Sequence, residues 1–259
     1  MMKCQSMNLV LCYNFVMMKT QIEKKLFENL EKQDNIRAIW LGGAIATQTE
    51  DQYSDTDLML IAPDANEAFR QIEDILNSFF TIEDIYHVED PLPFKQKFYT
   101  IKNSAPTYYL DIAIFENSSP TFLAEQFFEK RHGKAIIISD KDNLINEAKK
   151  IAYEFKFKNV DSNLLSRFEI FYRTFSREAL RNKFIDAYTF YLRLVQIYIL
   201  IARINYKPFK YDFGMRYLYL DLPKEKVFAV EEFLKITSIE DMQKNASLMN
   251  NEIKKLKLP

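Results

Sequence analysis

The chain contains only four glycines, and two of them, Gly42 and Gly43, are adjacent. Glycine is the residue that reaches left-handed backbone conformations at no steric cost and lets a backbone come close to another group. A chain with so few must place them where nothing else fits. The dinucleotide-binding fingerprint takes three closely spaced glycines, and the P-loop pattern ends in Gly-Lys-Ser/Thr. Neither pattern occurs. Apolar residues at 48% and aromatics at 15% also exclude collagen-like, low-complexity and disordered classes.

A length of 259 residues suits one large domain or two of ordinary size. The 35 basic and 36 acidic residues leave a net charge of -1. That balance gives no basic stripe for duplex nucleic acid, so nucleic acid is not the expected partner. No apolar run in the sequence approaches bilayer-spanning length, so no membrane is expected either. Cys4 and Cys12 are the only cysteines and lie at the start of the chain. With nothing downstream to pair with, they point to a reducing cytosol. Met7 to Met18 is mildly apolar after Lys3, faintly like an export signal. Asn8 and Asn14 interrupt it, and no small-x-small cleavage site follows. Residues 1–17 are therefore expected as a poorly structured lead-in.

Hydrophobic periodicity predicts a helix over Thr20 to Asp34, with Ile22, Leu26 and Leu30 on one face. A buried strand, Ile36 to Leu41, runs into Gly42-Gly43. A polar loop, Thr47 to Ser54, leads to a second strand, Leu58 to Ala62. A helix over Asn66 to Phe80, with Asn66 as cap, precedes strands at Ile82 to Val88, Phe98 to Lys102 and Tyr108 to Phe115. Ile136 to Ile138 suits a last short strand. From Leu144 the pattern is helical: Leu144 to Phe157, Ser162 to Arg181, Phe184 to Asn205, Lys224 to Lys235 and Ile239 to Lys255. The expected class is α+β. A mixed sheet with flanking helices over 18–142 is followed by an all-α helical-bundle domain over 143–259.

The chemistry concentrates in Trp40-Leu41-Gly42-Gly43-Ala44, then Ser54-Asp55-Thr56-Asp57-Leu58. In an extended chain residues i and i+2 point to the same side, so Asp55 and Asp57 present both carboxylates to one small volume. Two like charges that close repel unless a cation neutralises them. Hard oxygen ligands at this spacing suit Mg²⁺, which takes one or two carboxylates plus substrate phosphates. The Gly-Gly turn lets backbone N–H groups approach a phosphate with no Cβ in the way. Asp111 sits within an otherwise apolar strand, where burial costs free energy without a partner; a cation shared with Asp55 and Asp57 would supply one. The competing reading of Asp55 and Asp57 is a polar turn ahead of a strand. A second pair, Asp140 and Asp142, precedes a helix and fits capping.

Gly42-Gly43, then Asp55-Thr56-Asp57-Leu58, then a later strand bearing Asp111, resembles the nucleotidyltransferase superfamily typified by DNA polymerase beta. The helical second half makes the chain more similar to the bacterial aminoglycoside and lincosamide nucleotidyltransferases. The resemblance implies a two-metal Mg²⁺ site at Asp55, Asp57 and Asp111, with Asp111 binding the second metal, serving as general base, or both. It implies that Gly42 and Gly43 cradle the β and γ phosphates of ATP or another nucleoside triphosphate. It further implies transfer of a nucleoside monophosphate to a hydroxyl of a small-molecule acceptor, such as an aminoglycoside-like antibiotic. The family often carries Ser directly after the glycine, where this chain has Ala44; Thr47 or Ser54 is the hydroxyl that would stand in.

Other candidates have plainer readings beside functional ones. His87 and His132 lack a second ligand at metal spacing. Glu83, Asp84, Glu89 and Asp90 fit a solvated face or a binding surface for a cationic acceptor. Arg167, Arg173, Arg177 and Arg181 fit either solvated helix faces or cations facing a triphosphate. Two other functions remain open: transfer to a protein or RNA acceptor, and a nucleotide-binding regulatory or interaction module without turnover.

Overall fold

The computed structural model describes residues 9–89, 92–157 and 163–255, with side chains from residue 17 onward. Cys4 and Asp90, and the side chain of Cys12, lie outside the described residues. Contacts divide the chain into two compact units, Met1–Glu154 and Phe155–Pro259.

The first unit is built on a six-stranded mixed sheet. Its strands are β1 (Ala38–Leu41), β2 (Thr56–Ile61), β3 (Ile82–His87), β4 (Lys95–Ile101), β5 (Leu110–Phe115) and β6 (Ile136–Asp140). They lie in the order β3-β4-β5-β2-β1-β6, and only β2 and β5 pair in parallel. The helices are α1 (Leu9–Leu30), α2 (Gly43–Ala46), α3 (Ala65–Phe79), α4 (Pro120–Gln126), α5 (Glu129–His132) and α6 (Leu144–Lys149).

Strand alternation sorts the side chains onto two faces. Ile39, Leu41, Leu58, Leu60, Tyr99, Ile101, Leu110, Ile112 and Ile114 point to one face. They pack against Ile22, Leu26 and Leu30 of α1 and Phe69, Ile72 and Leu76 of α3. Each such buried side chain contributes roughly 1.5–3 kcal/mol. Ala38, Trp40, Ile61, Ala113 and Phe115 point the other way. Leu123 of α4, Phe127, and Ile145 and Ala148 of α6 cover them. Trp40 stacks on Phe115 at 5.5 Å between ring centroids. This second face is thus apolar at one end, and the same strand parity delivers Asp55, Asp57 and Asp111 to its other end.

Several boundaries differ from the sequence expectations. Leu9 to Met17 belong to α1, where a poorly structured lead-in is expected; no Gly or Pro interrupts that stretch, and it continues the helix C-terminal to it. Residues 1–8 lie outside the described residues. The cap of α3 is Asp64, whose carboxylate accepts from the amides of Asn66 and Glu67, and not Asn66 itself. α6 stops at Lys149 well short of Phe157, because Lys150 and Ile151 bond three residues back, to Glu147 and Ala148, and tighten the last turn. The pair Ser119-Pro120, with Pro in the first turn of α4, marks a helix that periodicity alone does not. Asp140 caps α6 as expected, accepting from the amides of Ile145 and Asn146.

The second unit is helical: α7 (Leu164–Leu180), α8 (Phe184–Tyr206), a short 3₁₀ turn at Pro208–Lys210, α9 (Leu218–Asp221), α10 (Lys224–Leu234) and α11 (Ile239–Ile253). α8 runs through its core, burying Tyr191, Leu194, Val195, Tyr198 and Ile201 among Phe175, Val230, Phe233, Met242 and Met249. By length and composition α8 could also cross a bilayer, which qualifies the expectation that no segment is long and apolar enough. Its middle residues lie in the unit's core, while Ile185 near its start is exposed. Near its end Arg203 is fully buried. Its guanidinium donates to Asp221 Oδ2 at 2.7 Å and to the carbonyls of Gly214, Lys210 and Arg216. Lys210 adds a second cation 3.3 Å from the Asp221 carboxylate.

Candidate active site

β1 ends at Leu41 and the chain turns sharply. The Gly42 amide donates to Asp57 O at 3.0 Å, extending the β1–β2 ladder by one bond. Gly43 follows with φ +52, a left-handed value that glycine adopts without steric cost. α2 begins there. Helix geometry leaves the amides of Gly43, Ala44 and Ile45 without intrahelical acceptors. Gly42's own amide is committed to the sheet, so among the two glycines only Gly43 has its N–H at the start of the helix.

Gly43 lies against the Asp57 carboxylate. A Cβ built on it would stand 1.6 Å from Asp57 Oδ2. A Cβ on Gly42 would meet only the flexible end of Met59, at 2.0 Å from Cε. Gly133, with φ +78, closes the far side of the same turn. A Cβ there would meet the Ala46 carbonyl oxygen at 2.5 Å, and the next amide, Lys134, donates to that oxygen at 2.8 Å. Three of the four glycines therefore serve one loop.

Parallel pairing sets the acids in register. Asp57 lies opposite Asp111, and Thr56 opposite Leu110. The Thr56 amide donates to Tyr109 O at 3.2 Å, so the ladder continues one step outward and brings Asp55 beside Tyr109. Asp55, Asp57, Tyr109 and Asp111 occupy adjacent positions on one face, with strands about 4.8 Å apart. The Tyr109 hydroxyl bonds the Asp55 carboxylate. That bond, with burial and the negative charges of Asp55, Asp111 and Asp57, raises the phenol well above its ordinary value. One hydroxyl feels all three carboxylates. Gln96 of β4 donates to Asp111 Oδ1 at 2.6 Å. Phe98, opposite Asp111, packs edge-on against Tyr109 at 5.6 Å.

Among the described residues no three His, Cys, Asp or Glu side chains are drawn together tightly enough to hold an ion unaided. Mg²⁺ needs only one or two protein carboxylates, the rest of its shell being water and phosphate oxygen. Asp55, Asp57 and Asp111 fit that need in donor type and in the side of the sheet they share.

The expected stand-ins for a missing hydroxyl point elsewhere. Ser54 Oγ donates to Asp51 Oδ1 at 3.0 Å and accepts from the Asp51 amide at 2.9 Å. Thr47 Oγ1 donates back to the carbonyls of Gly43 and Ala44. His87 on β3 and His132 on α5 take part in no metal-binding group among the described residues. Glu83 and Asp84 lie exposed on β3, an edge strand of the sheet. In the second unit Arg173 pairs with Glu169 at 3.0 Å, and Arg177 and Arg181 both bond the buried Glu178. These three arginines line a depression of ≈ 590 Å³ on α7 with Tyr172, Ser176 and Leu180.

Sequence reasoning left out Tyr109, Gln96 and Gly133. Tyr109 carries a signal: it stands two residues before Asp111 and so shares its face. Gly133 carries another, in a chain with almost no glycine to place freely. Gln96 carries none, because its role depends on how β4 registers against β5.

No family model and no curated protein matches the chain. Among solved structures it is similar to a candidate nucleotidyltransferase from H. pylori, at 14% identity over 94% of this chain and 98% of that one, with a TM-score of 0.32. It is also similar to the STING-associated CdnE c-di-GMP synthase from Capnocytophaga granulosa, at 15% identity over 96% and 83% of the two chains and a TM-score of 0.29. The GLD-2/RNP-8 complex matches at 11% identity over 91% and 70%, with a TM-score of 0.30. Superpositions this loose assign neither a family nor an activity.

Proposed function

We propose that the chain is a Mg²⁺-dependent nucleotidyltransferase. It would move the nucleoside monophosphate of a triphosphate, AMP from ATP, to a hydroxyl on a small-molecule acceptor of aminoglycoside type, releasing pyrophosphate. The observation that carries this reading is the in-register placement of Asp57 and Asp111 on the parallel β2–β5 pair, with the backbone of Gly43 against the Asp57 carboxylate.

Asp55, Asp57 and Asp111 would hold the divalent ion, which neutralises phosphate charge when bound. Gly43 lets the chain turn, and its amide and those of Ala44 and Ile45, which lack intrahelical acceptors, would serve as anion donors. Asp111 would take the proton of the acceptor hydroxyl as that oxygen bonds the α-phosphorus. The bond from the α-phosphorus to the bridging oxygen breaks, and the electron pair leaves with pyrophosphate. Gln96 orients Asp111 by donating to its Oδ1. Tyr109 holds Asp55 by its hydroxyl and, with its raised pKa, keeps its proton through the neutral range. Catalysis of this type is positioning and charge neutralisation.

One observation favours a second reading, a nucleotide-binding module without turnover. Ala44 brings no hydroxyl to the turn, and the hydroxyls of Thr47 and Ser54 are bonded within their own loops. Titration with ATP and Mg²⁺, followed by pyrophosphate release over a panel of hydroxylated amine and neutral acceptors, separates the two. Turnover with any acceptor, abolished in Asp57→Ala, supports the transferase. Binding without turnover on every acceptor favours the module.

A further inference from the structure

α1 carries two polar side chains into the base of the acidic end. Lys19 and Glu23 are one helical turn apart, on the flank of the face that buries Ile22 and Leu26. The Lys19 ammonium lies 2.7 Å from Glu50 Oε1, 3.3 Å from Ser54 O, 3.4 Å from Asp55 O and 3.9 Å from Glu23 Oε1. Four oxygens surround one cation whose side chain is only 18% exposed. Two of them are backbone carbonyls of the segment that delivers Asp55. Glu23 in turn accepts from the Thr56 hydroxyl at 2.7 Å, and Thr56 also meets the Tyr108 hydroxyl at 3.1 Å. Thr56 stands between Asp55 and Asp57 and points to the opposite face of the sheet.

We infer that Lys19 is a positioning residue. It pins the backbone of Ser54 and Asp55 to α1, so that the Asp55 carboxylate is held where a divalent ion binds. This rests on the reading of Asp55 and Asp57 as metal ligands. The loop from Thr47 to Asp55 has no regular structure of its own. Local bonds such as Asp51–Ser54 and the Tyr109 hydroxyl on the Asp55 carboxylate act on it, and the ammonium ties its middle, at Glu50, to its end, at Ser54 and Asp55. Lys19 touches neither phosphate nor metal in this arrangement. Its effect travels through backbone carbonyls, so an arginine, which can donate to the same oxygens, preserves it, while an uncharged chain of similar length does not.

The test uses the full chain and Mn²⁺ alone as probe, read by electron paramagnetic resonance, beside amide hydrogen exchange across residues 50–56. Lys19→Met is expected to exchange faster there and to bind Mn²⁺ at least about tenfold more weakly, the size of effect that outer-sphere partners of metal ligands show. Lys19→Arg is expected to stay within about threefold of the parent in both readouts. Glu50→Gln, which leaves Lys19 in place, is expected to fall between them. Unchanged exchange in Lys19→Met overturns the tether, whatever Mn²⁺ does. Faster exchange with unchanged Mn²⁺ affinity overturns the positioning role. If Asp57→Ala binds Mn²⁺ as the parent does, the metal-site reading itself has failed and the inference falls with it, an outcome distinct from the other two.

Discussion

Each unit gathers charged side chains, buried in the second and half-buried in the first, and the two gatherings are resolved differently. In the second unit Asp221 meets Arg203 and Lys210, and three further guanidinium N–H groups donate to backbone carbonyls. Acid and base answer one another, and the loop between α8 and α9 is tied down. In the first unit Asp55, Asp57 and Asp111 are set beside each other on adjacent strands. The Tyr109 hydroxyl bonds the Asp55 carboxylate, and Gln96 donates to Asp111. Like charges placed side by side cost stability. On the proposed reading a divalent cation completes this cluster, whereas the Arg203–Asp221 cluster is completed from within the chain.

The largest effect that would break this contrast is at Arg203. Arg203→Met leaves Asp221 buried beside a lone lysine and should cost about 3–5 kcal/mol in denaturant unfolding followed by circular dichroism. A variant as stable as the parent would remove the distinction. Asp57→Ala should lose nucleotidyl transfer by at least on the order of a hundredfold while its circular dichroism stays that of the folded parent. The two glycines sharpen the same point. Gly43→Ala puts a methyl group on the Asp57 carboxylate and a side chain at positive φ, costing about 1–2 kcal/mol from the backbone alone. Gly42→Ala meets only the end of Met59 and should cost less by at least about 1 kcal/mol.

The smallest effect is in pH dependence, and its sign differs between the units. Burial of Glu23 raises its carboxyl above the usual range, despite the Thr56 hydrogen bond. Its folded form binds a proton more tightly than the unfolded chain does. That contribution is whole below the ordinary glutamate value and is lost as pH rises through the raised one. Glu252, held low by hydrogen bonds from Lys226 and Lys255, and Asp241, held low by Thr237, behave oppositely. Their contributions are whole above the ordinary values and are lost as pH falls through the lowered ones. Glu23→Gln should therefore flatten the slope seen by Trp40, the only tryptophan and a core residue of the first unit. Asp241→Asn should be less stable than the parent at pH 7, with the difference shrinking in acid when followed by helical circular dichroism.

The fold class was largely legible because its signals are local. The alternation from Leu58 onward, the stripe of Ile22, Leu26 and Leu30, and the long apolar periodicity of α8 each depend on neighbours in sequence. The pair Asp55 and Asp57 was legible for the same reason, since residues two apart in a strand share a side. Their meeting with Asp111 could only be anticipated, because it depends on β5 pairing with β2 in parallel and on one register of that pairing. A slip of one residue would turn Asp111 to the other face. Lys19 and Gln96 were hidden by the same cause. Each reaches the site across fifteen or more residues of chain, and nothing next to it in sequence records the contact. The division of labour between Gly42 and Gly43 was also invisible, because it turns on which amide the sheet consumes.

The central claim is that Asp55, Asp57 and Asp111 with the Gly43 turn bind a metal-bound triphosphate. A crystal structure of the chain with Mg²⁺ and a non-hydrolysable ATP analogue tests it most directly. The account predicts metal on the Asp55 and Asp57 carboxylates, with phosphate oxygens facing the amides that begin at Gly43. Metal and triphosphate bound away from Asp55 and Asp57 would contradict it.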